Sequence, residues 1–288
     1  MKFVEFSQGG RRGLAVRARL GELRGRLAGE AGYPGSLHSL IAAGREALAD
    51  AGKLLADGNA LDPDAATVLP PISNPGKIIC VGLNYREHAA ESNVAPLAFP
   101  TVFARFSSSL VGHGSPIVRP RLSAQLDYEG ELAVVIGKAG RHIPRARALD
   151  HVAGYALFND ASVRDIQLRT SQWTLGKNFD DTGAFGPCLV TANDLPAGGR
   201  GLRLVTRLNG NVVQDASTDD LIFDVATLIA EISLAVTLMP GDVIVTGTPS
   251  GVGMARSPQL FMKDGDVCEV EIAEIGTLRN PVVNEAPA

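Results

Sequence analysis

LDYEGELAVVIGK, residues 126–138, reads as a β-strand that carries its charge at one end. Side chains two apart on a strand share a face. Asp127, Glu129, Glu131, Ala133 and Val135 therefore lie together, opposite Tyr128, Gly130, Leu132, Val134 and Ile136. One face starts with three acids and turns apolar, which puts the carboxylates at the mouth of a core or on an exposed strand end. At a core mouth they cannot all stay ionised alone, since two carboxylates about 4 Å apart repel by about 4 kcal/mol at an effective dielectric near 20. A proton or a cation has to settle that charge.

The sequence on both sides stays rich in strands. KIICVGL (77–83), CLVTA (188–192), VIVTGTP (243–249) and CEVEIAEIGTLRN (268–280) are strand-like, and LRLVTRLNGNVVQ (202–214) turns back on itself at Asn209-Gly210. Helices are expected near Tyr85–Ser92, Arg164–Thr170 and Asp220–Leu238, the last stopped by Pro240-Gly241-Asp242. Upstream, LPPISNPGK (69–77) has the look of a linker. Before it lie a helical stretch over 37–55 and GLAVRARLGELRGRLAG (13–29), which alternates like a half-exposed strand pair. The expected fold is α+β and mainly β, with a small N-terminal α+β domain (1–72) in front of a catalytic domain (73–288).

Other constellations carry chemistry. In YALFNDASVRD, Asp160 follows an apolar strand; alone it is a cap or turn residue, but with Glu129 and Glu131 it completes an oxygen-only ligand set. Such a set selects hard ions: Mg²⁺, Mn²⁺ or Ca²⁺. In VGLNYREHAAES, His88 and Glu91 are three apart and face the same way on a helix, as a surface pair or as a general-base dyad. Lys177 in WTLGKNFD can snorkel to solvent or stabilise charge on a reacting oxygen. TGTPSGVG (246–253) is an ordinary glycine loop or one that brings backbone close to a ligand.

Composition removes alternatives. At 288 residues a core forms without disulfides or structural metal, and aromatics at 5% argue against a stacking platform for single-stranded nucleic acid. The net charge of −4 hides a basic front containing Arg11, Arg12, Arg17, Arg19, Arg24 and Arg26 and an acidic remainder, which suits a cation better than a phosphate backbone. No nucleic-acid partner is expected. Walker A, dinucleotide, G-x-S-x-G and H-E-x-x-H motifs are absent. Three scattered cysteines, Cys80, Cys188 and Cys268, fit reduced buried thiols. The N-terminus shows no apolar h-region, and the longest apolar run is too short to span a bilayer, so a cytoplasmic protein without a membrane partner is expected.

Five ordered blocks resemble the fumarylacetoacetate hydrolase (FAH) family: KIICVGLNYREHAAE, LDYEGELAVVIGK, YALFNDASVRDIQ, QWTLGKNFD and PGDVIVTGTPSGVG. The acylpyruvate hydrolase and 2-hydroxyhepta-2,4-diene-1,7-dioate isomerase-like branch is the nearest match. The resemblance implies the family's mixed β-roll or sandwich catalytic fold, usually a homodimer, with Mg²⁺ or Mn²⁺ (Ca²⁺ in vitro). It places Glu129, Glu131 and Asp160 on the metal ligands and His88 and Glu91 on a water-activating dyad borne by a lid. Lys177 falls beside the reacting carbonyl, and Arg86, Arg164, Gln167 and Thr248 on substrate contacts. One block departs: many members carry lysine in an F-x-K pattern where this chain has Arg105, assigned here to the substrate's distal group. The resemblance implies a small oxo-acid substrate and a hydrolase that cleaves a carbon–carbon bond in a 2,4-dioxo acid such as fumarylpyruvate or maleylpyruvate, as in aromatic catabolism. The alternative is decarboxylation, isomerisation or tautomerisation of an oxaloacetate-type dicarboxylate.

Overall fold

A computed structural model describes residues 1–17, 21–62, 65–91 and 98–287. Arg19 and Ser92 of the sequence reading lie outside these residues. The N-terminal stretch forms antiparallel strands β1 (Lys2–Gln8), β2 (Arg11–Arg17) and β3 (Leu23–Leu27). The helical stretch over 37–55 becomes two helices, α1 (Leu37–Ala43) and α2 (Arg45–Ala56), because Gly44 between them takes a φ of 104° that only glycine adopts freely. Two short strands follow, β4 (Asn59–Ala60) and β5 (Thr67–Val68).

After the proline-rich stretch come β6 (Ile78–Gly82), α3 (Arg86–Glu91), β7 (Thr101–Arg105), β8 (Leu110–Val111), β9 (Ile117–Arg119), β10 (Leu126–Asp127) and β11 (Gly130–Ile136). The chain continues through β12 (Val152–Asp160), β13 (Ser162–Val163), α4 (Arg164–Gln167), α5 (Thr174–Lys177) and β14 (Gly183–Thr191). Strands β15 (Arg203–Leu208) and β16 (Asn211–Ser217) form the expected hairpin, with Asn209 (φ 52°) and Gly210 (φ 79°) both left-handed, as a tight two-residue turn requires. Helix α6 (Val225–Ala235) starts later than the sequence pattern indicates, because Asp224 accepts from Thr227 N at 2.8 Å and caps it there. The chain ends with β17 (Val243–Val245), β18 (Val267–Ile272) and β19 (Gly276–Asn284).

The large sheet runs β4-β3-β2-β1-β14-β12-β11-β17-β6-β7, and a second sheet runs β16-β15-β18-β19-β9. The N-terminal strands thus continue the sheet that holds β11; β1 pairs with β14, Phe3 opposite Leu189. The faces of β11 divide between two cores. Leu132, Val134 and Ile136 pack with Leu204, Val270 and Leu278 of the second sheet and with Leu228 and Ile229 of α6. Ala133 and Val135 pack with Leu37, Ile41 and Leu55 from α1 and α2. Each fully buried aliphatic or aromatic side chain contributes about 1.5–3 kcal/mol by leaving water.

The strand expected over residues 126–138 is broken at Tyr128-Glu129 and ends at Ile136. Asp127 belongs instead to the short β10–β13 ladder, opposite Ser162. Its carboxylate accepts from Tyr128 N (2.9 Å), Gly253 N (2.7 Å) and Met254 N (2.9 Å), which pulls it away from the face of Glu129 and Glu131.

Candidate metal centre and active-site cavity

Strand register brings the carboxylates together. Gly130 lies opposite Asn159 and Glu131 opposite Phe158. Glu129 N donates to Asn159 Oδ1 (3.0 Å) and Asp160 N to Glu129 O (2.8 Å), so the pairing persists one residue beyond β11. Opposed residues share a face. Glu129, Asp160 and Glu131 therefore converge, one oxygen from each within 4.8 Å of the others, and all three are buried. Among the described residues they are the one trio of ligating side chains.

Three cations balance this charge from different sides. Lys177 Nζ donates to Glu129 Oε2 and Asp160 Oδ2, both at 2.7 Å, and lies 5.0 Å from the Phe103 ring centroid. Its position depends on Gly176: a Cβ there would sit 2.4 Å from the Gln167 backbone, so only glycine lets α5 press against α4. Arg164 bonds Asp127 through Nε (2.9 Å) and Glu129 through Nη1 (2.6 Å), while its buried Nη2 has no partner. Arg105 lies behind Asp160, with Nη1 2.6 Å from Oδ1.

The charges sort themselves accordingly. Burial drives the Glu129 carboxyl up, but Lys177, Arg164 and His88 together outweigh it and hold it down at about 2. Burial, then the charges of Asp160 and Glu129, push Glu131 well above the carboxylate range. Glu131 accepts from Gly247 N and, among the described residues, pairs with no basic side chain. Burial lowers Lys177, yet Asp160 and Glu129 reverse this and keep the ammonium protonated. Three carboxylate donors, one lacking a counter-charge, fit a hard divalent cation.

A cavity of about 450 Å³ is lined by Glu129 and Glu131, while Asp160, the third member of the trio, is fully buried and does not line it. His88, Glu91, Arg164 and Lys177 line its polar side, and Phe103, Trp173 and Val252 its apolar side. Phe103 and Trp173 meet edge to face, centroids 5.5 Å apart. A larger cleft of about 900 Å³ near His113 and Ile275 contains no such trio among the described residues.

His88 Nδ1 lies 3.0 Å from Glu91 Oε1, leaving Nε2 for chemistry. Burial raises the Glu91 carboxyl, but bonds from His88 and Gly251 N reverse this and hold it below the usual range. The glycine loop closes on the protein's own carboxylates: Gly247 N donates to Glu131, Gly251 N to Glu91 (3.0 Å) and Gly253 N to Asp127 (2.7 Å). Helix α3 is launched from Leu83, left-handed at φ 58°, and from Asn84. Asn84 Nδ2 donates to Thr246 O (2.7 Å) and Phe223 O (3.0 Å), and its Oδ1 accepts from Phe223 N (2.8 Å).

The structure gathers most of the sequence-derived site residues. Gln167 and Thr248 line the cavity; Gln167 Oε1 accepts from Arg164 (2.9 Å), and Thr248 donates to Gly130 O (3.0 Å). Arg86 is exposed on α3, and Arg105 is buried behind Asp160; neither lines the cavity. Sequence reading missed Asn84 as a clamp and Asp127 as the partner of Arg164. The one available signal for Asn84 was a lone amide between an apolar strand and a helix.

The sequence profile described as fumarylacetoacetate (FAA) hydrolase C-terminal matches residues 77–283. The chain belongs to the fumarylacetoacetate hydrolase family. This family member is 44% identical, over 87% of its own length and 80% of the relative's, to "oxaloacetate tautomerase Fahd2a, mitochondrial" of Rattus norvegicus. A solved fumarylacetoacetate hydrolase from psychrophilic Exiguobacterium antarcticum superposes with a TM-score of 0.84 at 37% identity, over 99% of this chain and 100% of that one. A 2-hydroxyhepta-2,4-diene-1,7-dioate isomerase from Mycobacterium marinum gives 0.78 at 32%, over 100% of both chains.

Two expectations are corrected. The carbon–carbon hydrolase reading gives way, because the rat relative is named a tautomerase. The resemblance assigns the dyad to activating water, but a base beside a metal site serves proton transfer at carbon equally well. The cytoplasmic assignment also gives way, since that relative is named mitochondrial. Buried reduced thiols do not distinguish one reducing compartment from another. All three cysteines are free and buried, and no helix among the described residues is long and apolar enough to cross a membrane.

Proposed function

We propose that this protein is a divalent-metal-dependent tautomerase that interconverts the keto and enol forms of a small oxo-dicarboxylate of the oxaloacetate type. The observation that carries the reading is a base, His88 held by Glu91, on the same small cavity as Glu129 and Glu131 of the buried carboxylate trio and two cations, Arg164 and Lys177. The 44% identity to a named oxaloacetate tautomerase supports the substrate class.

The reaction moves one proton between the carbon next to the carbonyl and the carbonyl oxygen. His88 Nε2 would take that proton from carbon and return it to oxygen, while Glu91 keeps Nδ1 protonated and the ring oriented. The unpartnered Nη2 of Arg164 would receive a substrate carboxylate. Lys177 would hold positive charge near the forming enolate oxygen. A divalent cation bound by Glu129, Glu131 and Asp160 would supply Lewis acidity to the same oxygen. Phe103 and Trp173 wall the site with apolar surface, which strengthens each of these interactions.

The test follows enol and keto oxaloacetate by ultraviolet absorbance and NMR, with chelated protein and with Mg²⁺ or Mn²⁺ restored. Interconversion should accelerate only with metal, and His88→Ala should lower kcat about 100-fold or more. Keto–enol exchange unaffected by the protein would sink the proposal. Release of pyruvate at the rate of exchange would redirect it to decarboxylation.

A further inference from the structure

Arg105 is 3% exposed, and every nitrogen of its guanidinium is engaged. Nη1 donates to Asp160 Oδ1 (2.6 Å) and Ala161 O (3.1 Å), Nη2 to Thr182 Oγ1 (2.9 Å) and Nε to Ser109 Oγ (3.2 Å). Two of these anchors are fixed in turn: Thr182 Oγ1 donates to Phe179 O (2.6 Å) and Ser109 Oγ to Phe106 O (2.8 Å). Space for the fork comes from Gly183, where a Cβ would meet Arg105 Nη2 at 2.8 Å. The Phe158 ring lies 5.7 Å from the guanidinium carbon. Four of its five N–H donors are taken, and the side chain is not on the cavity wall.

We infer that Arg105 is a positioning residue for the metal: it fixes the Asp160 carboxylate from behind and thereby sets cation affinity, and it does not contact substrate. The inference rests on the metal-site reading above. Asp160 is shared between Arg105 on Oδ1 and Lys177 on Oδ2, so its plane is held by two rigid donors from different elements, β7 and α5. A carboxylate held this way presents its remaining lone pairs in one orientation, as groups bonded to metal ligands from outside generally ensure. Lysine at this position keeps the charge but not the fork, and would lose Thr182, Ser109 or Asp160.

The experiment measures Mn²⁺ binding without substrate, by electron paramagnetic resonance of free Mn²⁺ and by calorimetry, in wild type, Arg105→Lys and Thr182→Val, with thermal melts of each. Arg105→Lys should weaken Mn²⁺ binding about 10- to 100-fold. Its KM for oxaloacetate at saturating Mn²⁺ should stay within about twofold of wild type. Thr182→Val removes one anchor but keeps the contact with Asp160, and should weaken Mn²⁺ binding by a smaller factor in the same direction; it decides the matter if Arg105→Lys does not fold. Unchanged Mn²⁺ affinity in the folded variants, or a raised KM with unchanged Mn²⁺ affinity, overturns the inference and leaves the metal site standing. Failure of wild type to bind Mn²⁺ overturns both.

Discussion

Lys177 shows how much one side chain settles at this site. It is 2% exposed, and its ammonium is the shared counter-charge of Glu129 and Asp160. Removing one member of a buried ion cluster strands the others, at a cost of about 3–5 kcal/mol. Lys177→Met should therefore lose stability of that order without metal, measured by urea unfolding. Added Mn²⁺ should restore a larger share of stability to the variant than to wild type, because a cation can take over part of the missing charge. Equal responses of the two proteins to Mn²⁺ would argue against a shared site. The residue was legible in the sequence as a lysine in an apolar run, but its two carboxylate partners were not, since they lie 48 and 17 positions away.

At the scale of elements, the site depends on how closely short helices can approach. Gly176 permits the contact of α5 with α4 that places Lys177. Gly176→Ala would drive a methyl group into the Gln167 backbone, which cannot yield as a side-chain tip can. The expected cost is about 1–3 kcal/mol, seen as a lower melting temperature, with a fall in kcat because the ammonium leaves Glu129 and Asp160. A variant with wild-type kcat would show that α5 tolerates displacement. Period-2 alternation made β11 readable along with its two faces, and Asn209-Gly210 made the hairpin readable. The break at Tyr128-Glu129 was not readable, because the alternation runs through it unbroken. What diverts Asp127 is the backbone of Gly253 and Met254, more than 120 residues downstream. Arg105 was misplaced for the same reason: its charge was visible, but its partners were not.

For the whole molecule, the attachment of the N-terminal segment is the feature with a pH signature. Glu5 on β1 is 4% exposed and accepts from Leu37 N at the start of α1 (2.7 Å), with Arg12 3.8 Å away. Burial raises its carboxyl above the ordinary 4.5, against the opposing pull of the Leu37 bond and of Arg12. A raised folded value means that the stability from this group is fully present below 4.5 and is lost as pH rises through the folded value. Glu5→Gln keeps an acceptor for Leu37 and has no proton to lose. Its melting temperature, relative to wild type, should therefore climb between pH 4 and pH 8. A difference that is flat with pH would mean that Glu5 carries no strain as an anion. The continuous sheet from β4 to β7 was not foreseen from composition, because pairing of β1 with β14 joins segments about 190 residues apart.

The pairing of β11 with β12 also governs how the activity can be changed. Because Glu129 and Asp160 meet only through the Gly130–Asn159 register, a single inserted residue within β11 would rotate its side chains to the opposite face. Glycine and leucine would then replace the acids, and the acids would turn into the apolar space between the sheets. Insertions at Asn209-Gly210, the tip of the β15–β16 hairpin, leave the register of β11 with β12 untouched. For anyone grafting or recombining this scaffold, safe crossover points are set by strand phase more than by distance from the cavity.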